Sequence, residues 1–253
     1  MLKALDPRSL AWNGLALPVT RPGALASPIL DAMAVRWVIS DDAELLSKPE
    51  SGMDPDRWSL EHEGGLMIYG RNPIPAPRFY LTGEAVVVSD AEEALEVLTE
   101  SGGIVSPTGE LRVIVEAPEG FADEETASIG LNPDSNRIIL NKERPQRLEF
   151  EIDRSQAGWL VLSDAWHPEW KAWVDGQEAK IYPANVGFRA VRIPEGEHIV
   201  LFQYEPIAFI RGAAISIVTL AILLLGVVIE LMIVGPSARR IRHAGRALGD
   251  LGA

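Results

Sequence analysis

The chain contains no cysteine. That excludes a disulfide framework, a thiolate metal site and a cysteine nucleophile. Histidine is scarce, and His62, His167, His198 and His243 have no spacing that suits a metal ion, so no metal and no cofactor is expected. There is no Gly-rich phosphate loop, no Gly-x-Ser-x-Gly elbow and no His-Glu-x-x-His, so no catalytic residue is assigned. Positive charge is short as well. Residues 1–206 hold 18 Lys and Arg against 34 Asp and Glu, a net of −16 within an overall −13. So acidic a segment repels phosphate backbones and anionic lipid headgroups, which excludes a nucleic-acid partner. Carboxylate clusters at Asp41-Asp42, Glu92-Glu93 and Asp123-Glu124-Glu125 read as solvated surface. Long apolar runs are missing from the first two hundred residues. At the start of the chain Asp6, Pro7, Arg8 and Asn13 interrupt every one, which leaves neither a signal peptide nor a membrane span there.

One long run does exist. From Gly212 to Ile229, 18 residues carry no ionisable side chain, and the wider stretch 207–234 is apolar apart from Arg211 and Glu230. At helical rise, 18 residues cover about 27 Å, close to the thickness of a hydrocarbon core. The stretch predicts a transmembrane helix, with Arg211 and Glu230 snorkelling toward its two ends. Arg239, Arg240, Arg242 and Arg246 follow it, in a last segment with a net of +3. Basic flanks stay inside, so 235–253 is expected to be a cytoplasmic tail and the preceding domain to lie outside the membrane. Two readings meet the export problem. Either the chain is the C-terminal piece of a longer polytopic protein, or it is tail-anchored with its domain in the cytoplasm.

The expected fold class is α+β: an irregular segment at 1–26, a small α+β domain at 27–118, an antiparallel β-sandwich at 126–205, and the single C-terminal transmembrane helix. Within the first domain, PILDAMA reads as a short helix behind Ser27, and VRWVIS as a strand. Trp58–Glu61 and Leu66–Tyr69 read as a hairpin across Gly64-Gly65. Ser89-Asp90-Ala91-Glu92 reads as a capping box opening a helix that ends at Gly102-Gly103. Residues 117–125 read as a linker. Beyond it the pattern gives about eight short strands, beginning at Ala127–Leu131, with sandwich spacing.

The strongest local signal is KAWVDGQEAKIY. Asp175-Gly176 supplies the positive φ angles of a two-residue hairpin turn. The register then sets Val174 against Gln177, Trp173 against Glu178, Ala172 against Ala179, Lys171 against Lys180 and Trp170 against Ile181. Trp170, Ala172 and Val174 take the inner face, while Lys171, Trp173 and Asp175 take the outer one. Four of the seven tryptophans fall between 159 and 173. Trp159 and Trp170 sit among apolar strand neighbours and read as core. Trp166, in a loop, and Trp173, on a charged face, are the ligand-contact candidates, because an indole face suits the C–H face of a sugar; the alternatives are packing over the sandwich end for Trp166, and contact with another part of the protein or the membrane interface for Trp173.

These pieces resemble the C-terminal ectodomain of the YfhO-like bacterial membrane proteins. The residues that carry the resemblance are Pro168, Trp170, Lys171, Val174, Asp175, Gly176, Asn185, Phe188, Arg189, Pro194, Gly196, His198, Tyr204 and Pro206. Of these, Pro168, Trp170, Lys171, Asp175, Gly176, Asn185, Arg189 and His198 are expected to be structural. Glu169 stands where the family commonly has Gly, and Trp166-His167 where it commonly has two aromatics. SPILDAMAVRWVIS and RNPIPAPRFYL also resemble segments of that family, in order.

The family is similar to the C-type membrane glycosyltransferases, which transfer a sugar from a polyprenyl-phosphate carrier to a cell-envelope acceptor. In such enzymes the catalytic carboxylate lies in an early loop that no residue here matches. The resemblance therefore implies an extracytoplasmic accessory domain and last membrane helix, not catalytic by itself. Its partners would be the lipid bilayer and an upstream polytopic region or partner subunit. Two readings stand beside this one: a membrane-tethered, non-catalytic module that binds envelope glycan or protein, and a purely structural tail-anchored protein.

Overall fold

The computed structural model describes residues 23–71, 76–100, 103–106, 109–117 and 136–249. The contacts divide the chain into a unit that ends at Tyr204 and a second that begins at Glu205.

The first unit is α+β and is built on three sheets. Strands β1 (Trp37–Ser40), β2 (Trp58–His62) and β3 (Met67–Arg71) form a small sheet in the order β1-β3-β2. Before it lie a 3-10 turn at Ala24–Ala26 and a one-turn helix α1 (Ile29–Ala32), opened by Ser27, whose hydroxyl accepts from the Ile29 N–H. Six further strands make a central sheet: β4 (Phe79–Thr82), β5 (Glu84–Val88), β6 (Arg112–Glu116), β9 (Gly158–Leu162), β12 (Ile181–Ala184) and β13 (Phe188–Ile193). Its order is β4-β9-β13-β12-β6-β5. The third sheet has β7 (Asn136–Arg144), β8 (Arg147–Arg154), β10 (Trp170–Val174), β11 (Gln177–Ala179) and β14 (Gly196–Tyr204), in the order β11-β10-β14-β8-β7.

The central sheet is covered on both faces. From β9, Trp159 and Val161 point into a core shared with Tyr69, Trp58, Ile29, Val113 and Leu98. Leu160 and Leu162, one residue out of phase, pack with Phe150, Ile152, Val200 and Phe202 of the five-stranded sheet. Alternate side chains of a strand leave opposite faces, so a strand buried on both sides needs the unbroken apolar run that GWLVL provides. Among the described residues only β5 and β6 pair in parallel, which requires a crossover. Helix α2 (Ala91–Glu100) supplies it and buries Ala94 and Leu98. Its cap lies one residue later than the sequence suggests. Asp90 Oδ1 accepts from the N–H groups of Glu92 and Glu93, and Glu93 reaches back to the Ser89 N–H at 2.8 Å. Asp90 wins because its carboxylate reaches two free amides of the first turn.

Strands from both sides of residues 117–125 thus share one sheet. β4, β5 and β6 come from 27–118, and β9, β12 and β13 from 126–205, so the two segments expected as separate domains are interleaved in one compact unit. Most of that linker, the strand expected at Ala127–Leu131 and residues 1–22 lie outside the described residues.

The second unit is helix α3, Ile207–Gly249. Its stretch Ile207–Glu230 is long and apolar enough to cross a membrane by length and composition, and none of it is buried by the protein. The backbone remains helical past Gly235-Pro236, so the segment expected as a tail continues the helix as far as Gly249.

Candidate functional site

The Asp175-Gly176 turn forms as its residues demand, with φ of 51° and 81°. Val174, Trp173 and Ala172 pair with Gln177, Glu178 and Ala179. The pairing stops there. Chain after Lys180 crosses to the central sheet as β12, where Ile181 pairs with Val191. Trp170 and Lys171 instead meet Tyr204 and Gln203 of β14, and Lys180 lies over the Tyr182 ring at 4.5 Å. The expected Lys171–Lys180 and Trp170–Ile181 pairs therefore do not form. A strand that switches sheets ends its hairpin early, and packing rather than local pattern sets where.

Two motif residues lock this geometry. Asp175 accepts from His198 Nδ1 at 2.6 Å and from the Ile199 N–H at 2.8 Å, tying the turn to β14. The other His198 nitrogen meets the Glu195 carbonyl at 3.0 Å. Burial opposes the charged imidazole, but these two acceptors outweigh it and raise its pKa above the usual value. The hydrogen bonds that Asp175 accepts from His198 and from the Ile199 N–H depress its own pKa. Asn185 is buried with φ of 48°. Its side chain accepts from the Ile114 N–H at 2.9 Å and donates to the Tyr80 hydroxyl at 3.0 Å, joining β6, β4 and β12.

Two further motif residues, Trp170 and Arg189, meet at an open cleft of about 420 Å³, lined also by Arg78, Glu143, Arg144, Pro145, Leu148, Asp164 and Ala165. At its back, Arg189 is buried between aromatic rings, with its guanidinium carbon 3.9 Å from the Trp170 centroid and 5.5 Å from that of Phe202. It donates to the Ala165 carbonyl at 3.0 Å and to Asp164 at 3.1 Å. Burial pulls its pKa down to about 10; Asp164 opposes the shift and Arg78 adds to it. Asp164 also accepts both forks of Arg78, at 2.8 and 3.2 Å, and Arg78 reaches Glu143 at 2.5 Å. The network fastens the loop after β9 to the start of β4 and to the β7–β8 turn. Beside it Tyr204 donates to Glu169 at 3.0 Å, and its ring packs on Trp170 and His167.

The cleft holds charge pairs and an aromatic wall. Among the described residues there is no cluster of His, Asp and Glu that could hold a metal ion. Arg78, Asp164, Glu143 and Arg144 are cleft residues that sequence reasoning missed. Arg78 lies 86 positions from Asp164, so no spacing rule could pair them. Asp164 was reachable, since it sits inside the motif-bearing run. Trp166 is 38% exposed, and its N–H is held by the Gly187 carbonyl at 2.8 Å. Trp173 lies half-buried on the outer face of the five-stranded sheet beside Leu201 and Glu178. The two occupy different elements, a loop and a strand, and Pro168 is exposed in the same loop as Trp166.

Residues 133–216 match the family model of the bacterial membrane protein YfhO. The matched stretch takes in β7 to β14 and the first turns of α3. No curated protein and no solved structure matches the chain.

Proposed function

We propose that this chain, which carries a YfhO-like C-terminal region, is the extracytoplasmic accessory domain and last membrane helix of a membrane glycosyltransferase of the cell envelope. It does not carry the chemistry itself. The observation that supports this is the reach of the family match: it runs without a break from the five-stranded sheet through Tyr204 into the apolar helix. The sheet and the first ten residues of the apolar stretch lie within one family match, as expected of a domain that works at a membrane. The motif residues Asp175, Asn185, Arg189 and His198 are spent on holding strands and loops. That suits a positioning role better than a catalytic one. The sugar donor would be a polyprenyl-phosphate sugar, handled by an upstream polytopic region or partner subunit.

Deletion and complementation test this in membranes of the source bacterium. Membranes without the chain are expected to lose transfer of labelled sugar from the polyprenyl carrier to an envelope polymer, and the full chain restores it. Unchanged transfer overturns the enzymatic context. A phosphatase fused after Tyr204 is expected to be active outside the membrane; an inactive fusion overturns the orientation.

A further inference from the structure

We propose that the cleft beside Tyr204 seats the phosphate headgroup of an anionic membrane lipid. Covalent reach comes first. Strand β14 ends at Tyr204 and the apolar helix begins at Ile207. Glu205 and Pro206 between them span about 10 Å at most. Whatever the pose of the two units, Tyr204 stays within that reach of the start of the helix. The cleft adjoins Tyr204 within the first unit. The Tyr204 N–H donates to the Gln146 carbonyl of the β7–β8 turn at 2.9 Å, and the Tyr204 ring rests on Trp170, which lines the cleft.

Charge comes next. Three arginines face two carboxylates in the cleft, and both carboxylates are committed to Arg78 and Arg189. Arg144 has no ion pair among the described residues. It stands directly opposite Arg147 across the β7–β8 pair, and like charges in that position repel. Arg147 itself shares Glu149 with Lys142. The Nε of Arg189, on a side chain only 2% exposed, has no hydrogen-bond partner among the described residues. A phosphate offers the acceptor that Arg144 lacks, in the geometry arginine matches best. Pro145 and Leu148 give the cleft apolar lining that suits the top of a lipid's acyl chain, and Trp166 is partly exposed in the loop that carries Asp164, as membrane-interface tryptophans are. The strongly acidic total charge does not prevent this, because exposed charges beyond about 8 Å are screened and the local balance of the cleft decides.

The proposal rests on the membrane anchoring of the reading above, not on its enzymatic context. Because the chain has no cysteine, Gln146→Cys on the exposed β7–β8 turn gives a single labelling site. The labelled full chain is reconstituted in phosphatidylcholine nanodiscs containing a minor fraction of lipid spin-labelled high on its acyl chain, either phosphatidylglycerol or phosphatidylcholine. Phosphatidylglycerol is expected to quench the label severalfold more strongly. Arg144→Gln is expected to abolish that preference, while Arg240→Gln in the basic tail preserves it. Equal quenching by the two lipids, or a preference unchanged in Arg144→Gln, overturns the proposal. A saturable response to inorganic phosphate alone, without lipid preference, overturns the lipid as occupant. A chain that stays out of the nanodisc overturns the anchoring on which both readings rest.

Discussion

A Cβ placed on Gly158 would collide with the Arg154 guanidinium and come within 2.5 Å of the Thr82 carbonyl oxygen. Arg154 is buried there, donating to Gln156, Thr82 and Trp159 carbonyls, and burial lowers its pKa to about 10. Gly158→Ala is therefore expected to cost about 1–3 kcal/mol, read as a lower midpoint in urea denaturation. The Asp175–His198 pair makes a pH prediction. His198 is raised in the folded state, so its contribution is complete below its ordinary value of 6.5 and is lost as pH climbs through the folded value. Asp175 is depressed, so its contribution is present above 3.8 and is lost as pH falls through the folded value. Stability from the pair is greatest between those limits. His198→Gln is expected to flatten the loss on the alkaline side, and denaturation midpoints from about pH 5 to about pH 9 would expose it. A slope unchanged in the variant refutes the assignment.

Among the elements, the Asp175-Gly176 hairpin was legible because its signal is local: two residues that tolerate positive φ between alternating strands. Its end was not, because the departure of β12 depends on β13 and β6, whose residues lie elsewhere in the chain. The helix cap was misplaced by one residue for a related reason, since Ser89 and Asp90 both suit the role and only their geometry separates them. Helix α3 carries a prediction of its own. Leu223 is exposed near the middle of the apolar stretch. Leu223→Arg places a charge there at a cost of about 2.5–3.5 kcal/mol on insertion scales. Carbonate extraction of membranes is expected to release more of this variant than of the parent; equal retention would argue that the stretch does not span.

For the whole molecule, the shared central sheet implies one cooperative unit from the small three-stranded sheet to Tyr204. Tyr80 tests it, since its hydroxyl donates to the Arg112 carbonyl at 3.0 Å and accepts from Asn185, linking chain on both sides of residues 117–125. Burial also raises its pKa strongly. Tyr80→Phe is expected to cost about 1–2 kcal/mol and to move a single unfolding transition by the same amount in tryptophan fluorescence and far-UV circular dichroism. Two transitions that shift separately would contradict the shared unit. Of the cleft, Trp170 and Arg189 were marked in the sequence by the family motif. Arg78, Glu143 and Arg144 were not, because ion pairs between distant segments leave no local pattern.

Local pattern was enough for the apolar helix, the hairpin turn, the capped helix, most strand positions and the family resemblance. Each is written in local chemistry: apolar length, positive-φ residues, a carboxylate before free amides, alternation, a string of motif residues. The tertiary structure alone decided that β4, β5 and β6 join β9, β12 and β13 in one sheet, and that Arg78, Asp164 and Arg189 meet at one cleft. Strand partners and ion pairs depend on which surfaces can be buried together and on which charges must then be compensated. Those conditions exist only once the chain has folded.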